Sequence, residues 1–161
     1  MNSVGRDYNA IRATVRAAVE DSMDAAGRMR VVVDALWNSL HSTGVSWVGF
    51  YLDQPGEFKD SRLVLGPCRN KPACSPIGLY GLCGKALTTK RTCIVDDVRT
   101  LGSSYIACDP RDLSEIVVPL VESSGECWAV LDLDSWETAA FSESDDAGLR
   151  QVLQAAGLMS P

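Results

Sequence analysis

The apolar positions of the chain follow two rhythms. From Tyr8 to about His41, Ala, Val, Met and Leu recur at three- and four-residue intervals, the period of a helix face turned toward a core. The Glu20-Asp21 region and Gly27 interrupt the run, which therefore predicts two helices, and Gly44 ends the second. After Gly44 the rhythm changes. "VSWVGFYL" (45–52) is dense in β-branched and aromatic residues, is closed by the turn-forming "DQPGE", and reads as a strand with a partner in "RLVLG" (62–66). Residues 67–92, with Pro67, Pro72, Pro76 and several glycines, read as loop apart from a short helix at "GKALTTK". "TCIVDDV" gives a short strand and 99–114 a second long connection. "EIVVPLV" and "CWAVLDLDS" are then two strong strands joined across "ESSGE". The C-terminal segment starts at a helix cap, Ser142 or Ser144, and continues as an amphipathic helix.

Helices at both ends with antiparallel strands between them predict one α+β domain over 1–161, with the N-terminal helices in 1–44 and the sheet, pocket loops and C-terminal helix in 45–161. Loops longer than about 12–15 residues in a compact domain are commonly lids or binding loops, which directs attention to the two long connections.

Period-two alternation sharpens the picture. In "CWAVLDLDS" it puts Trp128, Val130, Asp132 and Asp134 on one face and Cys127, Ala129, Leu131 and Leu133 on the other. Burying two carboxylates without partners costs several kcal/mol, so the first face must meet water, a cation or a polar pocket. In the strand at 45–52, Trp47, Gly49 and Tyr51 share a face, and Gly49 leaves room between two rings that could wall a cavity for a partly apolar ligand.

Charge and composition remove several partners. The net charge is −6 with no Lys/Arg cluster, which argues against nucleic acid and against an anionic membrane. No stretch approaches the roughly 18 apolar residues of a membrane span or the apolar core of a signal peptide, so a cytoplasmic location is expected. Six cysteines, at 68, 74, 83, 93, 108 and 127, are too sparse for a disulfide-stapled secreted domain and read as buried fillers, metal ligands or redox catalysts. No two of them have C-x(2–4)-C spacing and His41 is the single histidine, so neither a structural metal nor another cofactor is expected.

The segments "WVGFYL", "LVLGP", "KPAC", "LCGKA", "IACD", "SEIVVPL", "VLDLDS" and "FSESD" occur in the order and approximate spacing of the GAF-domain free methionine-(R)-sulfoxide reductases, and the chain resembles that family from about Trp47 to Asp145. The resemblance implies a GAF-like fold, a central antiparallel sheet flanked by N- and C-terminal helices around a small enclosed pocket. It implies reduction of the free amino acid methionine sulfoxide, R at sulfur. By motif, Cys108 in "IACD" matches the catalytic thiol, and Cys74 in "KPAC" and Cys83 in "LCG" match the resolving or recycling pair. Glu115, Asp132 and Asp134 match the pocket carboxylates, and Trp47 and Tyr51 the aromatic walls. A thioredoxin-like reductant and a homodimer, with the N-terminal helices as interface, are further implications.

The residue chemistry agrees with these roles. A thiolate attacks a sulfoxide sulfur, and the oxygen leaves readily once protonated, so the site needs a nucleophilic cysteine and an acid. Three clustered carboxyls cannot all ionise cheaply, which leaves at least one with a proton to give. Loss of methionine leaves a sulfenic acid that a neighbouring thiol condenses to a disulfide. Some positions depart from the family pattern: Tyr80 stands where a basic residue is usual in a shortened 74–83 stretch, Cys68 where an aromatic is common, and Ala129 where glycine is customary beside the pocket strand. Cys93 and Cys127 match no family role and read as structural. Two alternatives stay open, a non-catalytic GAF sensor of a small molecule and a thiol redox switch acting on a partner contact.

Overall fold

The computed structural model describes residues 5–105 and 107–161; residues 1–4 of the N-terminal region and Ile106 of the "IACD" motif lie outside the described residues. Helix α1 spans Tyr8–Ala18 and α2 Ala25–Leu40. Each starts on an aspartate, Asp7 accepting from the Ala10 amide and Asp24 from the Gly27 amide, so Gly27 belongs to the first turn of α2 rather than to the break before it. Met29, Val32, Val33, Leu36 and Leu40 make the buried stripe of α2, which ends at Leu40 rather than at Gly44; a 3-10 turn over His41–Thr43 follows, and Gly44, at φ +94°, closes that turn.

Strands β1 (Val45–Asp53), β2 (Leu63–Arg69), β3 (Cys93–Val95), β4 (Ser114–Val121) and β5 (Cys127–Ser135) form an antiparallel sheet in the order β2-β1-β5-β4-β3. β2 runs beyond the predicted 66 through Pro67, which an edge strand tolerates. Helix α3 (Leu82–Thr89) starts two residues before the predicted segment, and Lys90 in the left-handed region ends it. Helix α4 (Glu143–Ala155) begins at Ser142, whose amide donates to Asp145 Oδ2 at 2.8 Å. Asp145 also accepts from Arg6 Nη1 (2.9 Å) and Tyr8 OH (2.7 Å), tying the N-terminal segment to α4.

The sheet separates two cores. On one side α1, α2 and α4 cover Val48, Phe50, Ile116, Val118, Leu131 and Leu133. Full burial of each large side chain there stabilises the fold by about 1.5–3 kcal/mol. On the other side α3 and the loop residues Ala73, Ile77, Leu79 and Tyr105 cover Trp47, Tyr51, Val117 and Val130. The alternation predicted for β5 holds from Ala129 onward but not at its start. A register shift between Leu120 and Val121 opposite Cys127 and Ala129 puts Trp128 with the helix-side core and Cys127 with the other, because the extra residue of a bulge reverses the facing of what precedes it. Ala129 is fully buried on the helix side, so its methyl does not narrow the opposite face.

Candidate functional site

The sheet register assembles the chemistry. Trp47 on β1 pairs with Asp134 on β5, which pairs in turn with Glu115 on β4, so an indole and two carboxyls form one row across three strands. In the next row of that face, Asp132 lies between Gly49 and Val117. Gly49 is glycine because the Trp47 ring lies on it: a Cβ there would come within 2.2 Å of Trp47 Cη2, so the room expected between the two aromatic rings is filled by the indole itself. The Trp47 and Tyr51 ring centroids are 6.2 Å apart.

Both aromatics also hold the first long loop. Trp47 Nε1 donates to the Lys71 carbonyl and Tyr51 OH to the Cys74 carbonyl, each at 2.8 Å. Cys74 and Cys108 are joined by a disulfide with Cα atoms 5.6 Å apart, within the usual span of such bridges, and both residues are exposed. Asp109, next to Cys108, accepts from Lys71 and from Arg111, and so joins the loop carrying Cys74 to the loop carrying Cys108. Hydrogen bonds from Arg111 and then Lys71 hold its carboxyl well below the usual range.

A hollow of about 420 Å³, counting the space at its mouth, opens between these loops and the sheet. Trp47, Tyr51, Cys83, Cys108, Glu115, Asp132 and Asp134 all line it. Of the residues predicted for the site, Cys74 alone is not a lining residue; it reaches the site through Cys108. Cys83 projects from the first turn of α3 into the floor, buried, and its thiol donates to Asp132 Oδ2 at 3.6 Å. Gly84 permits this placement, since a Cβ there would meet the Leu79 carbonyl oxygen at 2.0 Å. Cys68 faces Gly49 across β1 and β2, with its thiol on the Lys71 carbonyl.

Two polar lining residues have no sequence signal, Asp112 and Tyr105. Both come from the 99–114 connection, where no periodicity tells which way a side chain points. Asp112 is nevertheless buried, with Ser46 as its side-chain partner, and burial, reinforced by Asp109, pushes its carboxyl up to about 6. Tyr105 is half-buried, and burial together with the charges of Glu115 and Asp134 raises its phenol.

Among the described residues, the lining includes four carboxyls and no lysine or arginine. Burial, then repulsion from Asp132, raises Glu115 and Asp134 well above the carboxylate range, which favours the protonated form of each. Asp132 rises less, to about 7: burial pushes it up, while hydrogen bonds from Glu115 and Cys83 favour its charged form. It is thus the most readily ionised of the three. Its Oδ1 is fully buried, and no amide, hydroxyl or cationic group among the described residues donates to it. Burial first, then Asp132, raises the Cys83 thiol far above its ordinary value, so Cys83 is a neutral thiol here and no nucleophile. Chemically the hollow suits a small amphiphile with one positive group, held against the aromatic wall and offered protons from carboxyls beside an exposed sulfur.

Residues 22–159 match the GAF domain family model. The chain is 38% identical over 120 residues (73% of it) to the free methionine-R-sulfoxide reductase of Saccharomyces cerevisiae and 40% identical over 113 residues (69% of it) to the enzyme of that name from Escherichia coli. These matches span just under two thirds of the relatives' own lengths, 65% and 64%. The structure of free methionine-R-sulfoxide reductase from Neisseria meningitidis in complex with its substrate superimposes with a TM-score of 0.81 at 33% identity, covering 92% of this chain and 85% of that one. The family model over residues 22–159, the curated relatives and the structural match over 92% of the chain lead to one conclusion: the protein belongs to the GAF-domain free methionine-R-sulfoxide reductase family.

Proposed function

We propose that this protein reduces free methionine-(R)-sulfoxide to methionine, with Cys108 as the nucleophile. One convergence supports it above all: a cysteine able to form a disulfide with Cys74 borders the same hollow as an aromatic wall and buried carboxyls raised toward their protonated form. In this reading Asp132, the most acidic of the three predicted carboxyls, takes the substrate's ammonium on its unpartnered oxygen. The S-methyl group packs on Trp47 and Tyr51. The Cys108 thiolate attacks the sulfoxide sulfur while Glu115 or Asp134 protonates the sulfoxide oxygen. As that adduct breaks down, the new S–S bond cleaves and the hydroxyl passes to Cys108 Sγ, which frees methionine and leaves a sulfenic acid on Cys108. Cys74 condenses with it, water leaves, and the disulfide forms. A thioredoxin-like dithiol then reduces the bridge, which is accessible because both of its residues are exposed. Such a cycle needs a thiol-reducing compartment, which fits the cytoplasm.

In this scheme Cys74 resolves, and Cys83, neutral and held on Asp132, belongs to the binding floor. A thioredoxin-coupled NADPH assay with the separate R and S epimers tests it. Turnover is expected for the R epimer and lost in Cys108→Ser, while Cys74→Ser should release one equivalent of methionine and then stall. Equal turnover of both epimers, or full activity in Cys108→Ser, refutes the assignment.

A further inference from the structure

The floor of the hollow has a feature that amino-acid binding leaves unused. Cys83 Sγ, a Glu115 carboxylate oxygen and an Asp132 carboxylate oxygen lie within 4.8 Å of one another, and all three residues are buried. They come from α3, β4 and β5, so no ligand spacing in the sequence reveals them. Asp132 is 6% exposed, and its Oδ1 lacks a donor from any amide, hydroxyl or cationic group among the described residues. Cys83 and Glu115 supply the hydrogen bonds of Asp132 in the metal-free protein, and a cation bound in place of their protons would satisfy this oxygen as well.

From this geometry we infer a zinc site on Cys83, Glu115 and Asp132, which takes Zn2+ in the space that the proposed function gives to the substrate's ammonium. Zinc binds sulfur at about 2.3 Å and carboxylate oxygen at about 2.1 Å, which puts the two ligands about 3.6 Å apart at a tetrahedral angle. Cys83 Sγ and Asp132 Oδ2 are 3.6 Å apart. The ligand set selects the metal. A thiolate suits a borderline-soft ion, whereas magnesium and calcium want six or more oxygens. On binding, the Cys83 thiol proton and the Glu115 carboxyl proton leave to solvent as the zinc–sulfur and zinc–oxygen bonds form, with no change of oxidation state. The cation offsets the repulsion among the carboxyls and, by its position, excludes the amino acid. Zinc is then a reversible inhibitor that leaves the redox pair Cys74 and Cys108 untouched.

Metal-free protein in its Cys74–Cys108 disulfide form is titrated with Zn2+ against a chromophoric chelator, and with Co2+ to read thiolate-to-metal charge transfer. One equivalent is expected, with the cobalt band present in wild type and Cys68→Ser and absent in Cys83→Ser. Affinity should fall at least about a hundredfold in Cys83→Ser and in Asp132→Asn. Absence of stoichiometric binding, or binding that survives Cys83→Ser, overturns the site; the cobalt band of the wild type gives the answer without a variant. Competition by methionine supports both the site and the proposed function. Zinc held on Cys83 without such competition supports the metal site and counts against the amino-acid assignment, and turnover assayed in chelator tests that assignment separately.

Discussion

Replacing Asp132 by asparagine removes a charge the fold opposes, and its effect on stability can be worked from the structure. The carboxyl rises from an ordinary 3.8 to about 7 in the folded protein, with burial as the chief cause. Between these values the folded state holds a proton that the unfolded chain has lost, so stability is greatest below the unfolded pKa and falls as pH climbs through the folded one. About three pH units at about 1.4 kcal/mol each give a total of about 4 kcal/mol above pH 7. Roughly 1.5 kcal/mol of that is already lost at pH 5, which leaves a fall of about 2–3 kcal/mol between pH 5 and pH 8. Glu115 and Asp134, raised in the same direction, steepen the slope. The side chain introduced by Asp132→Asn keeps an oxygen for the Cys83 thiol but has no ionisable group. The variant should therefore be more stable than wild type at pH 8 by about 4 kcal/mol, with the gap shrinking to about 1.5 kcal/mol at pH 5. Urea unfolding across this range, with the disulfide intact and a chelator present, reads the difference as a shift in midpoint at constant m. A wild-type midpoint flat with pH, or an Asp132→Asn variant that keeps the wild-type slope, refutes the assignment of a buried, ionising carboxyl. Greater stability with weaker substrate binding is the signature expected of a group kept for function.

Two further outcomes follow from packing and pairing. Gly49→Ala puts a methyl 2.2 Å from Trp47 Cη2, so the indole must leave its place; kcat/KM for the sulfoxide should drop on the order of tenfold to a hundredfold, with about 1–3 kcal/mol of stability lost, as steady-state kinetics and urea titration would report. Asp145→Asn removes the counter-charge of Arg6, whose side chain is 6% exposed and keeps its bonds to Thr43 and Ala140, and should cost about 3 kcal/mol at pH 7. Although burial opposes it, hydrogen bonds from Tyr8 and Arg6 hold the Asp145 carboxyl below its ordinary value, so its stabilisation is present above the unfolded pKa and lost as pH falls through the folded one. The difference between wild type and Asp145→Asn should therefore narrow in acid.

Local periodicity was enough to read the two N-terminal helices, the strands, and the shared faces of Trp47 with Tyr51 and of Asp132 with Asp134, because each pattern depends on residues a few positions apart. It could not reveal which strands are neighbours. That choice puts Glu115 beside Asp134 and Asp134 beside Trp47, and it turns scattered carboxyls into a group whose members raise one another's pKa. The bulge that turns Trp128 away from the aspartates is likewise a matter of pairing between strands.

The loops were least legible. Their course is set by side chains distant in sequence, such as Trp47 and Tyr51 bonding to the backbone at Lys71 and Cys74. For that reason the motif resemblance could supply three candidate thiols for one reaction, while only the tertiary structure joined Cys74 to Cys108, buried Cys83 against Asp132 and turned Asp112 into the hollow. Sequence determined which residues could act, the aspartates and aromatics through strand period, which is short-range, and the thiols and Glu115 through motif resemblance. Tertiary structure decided which of them meet, since burial and charge at a site are properties of every segment that closes around it.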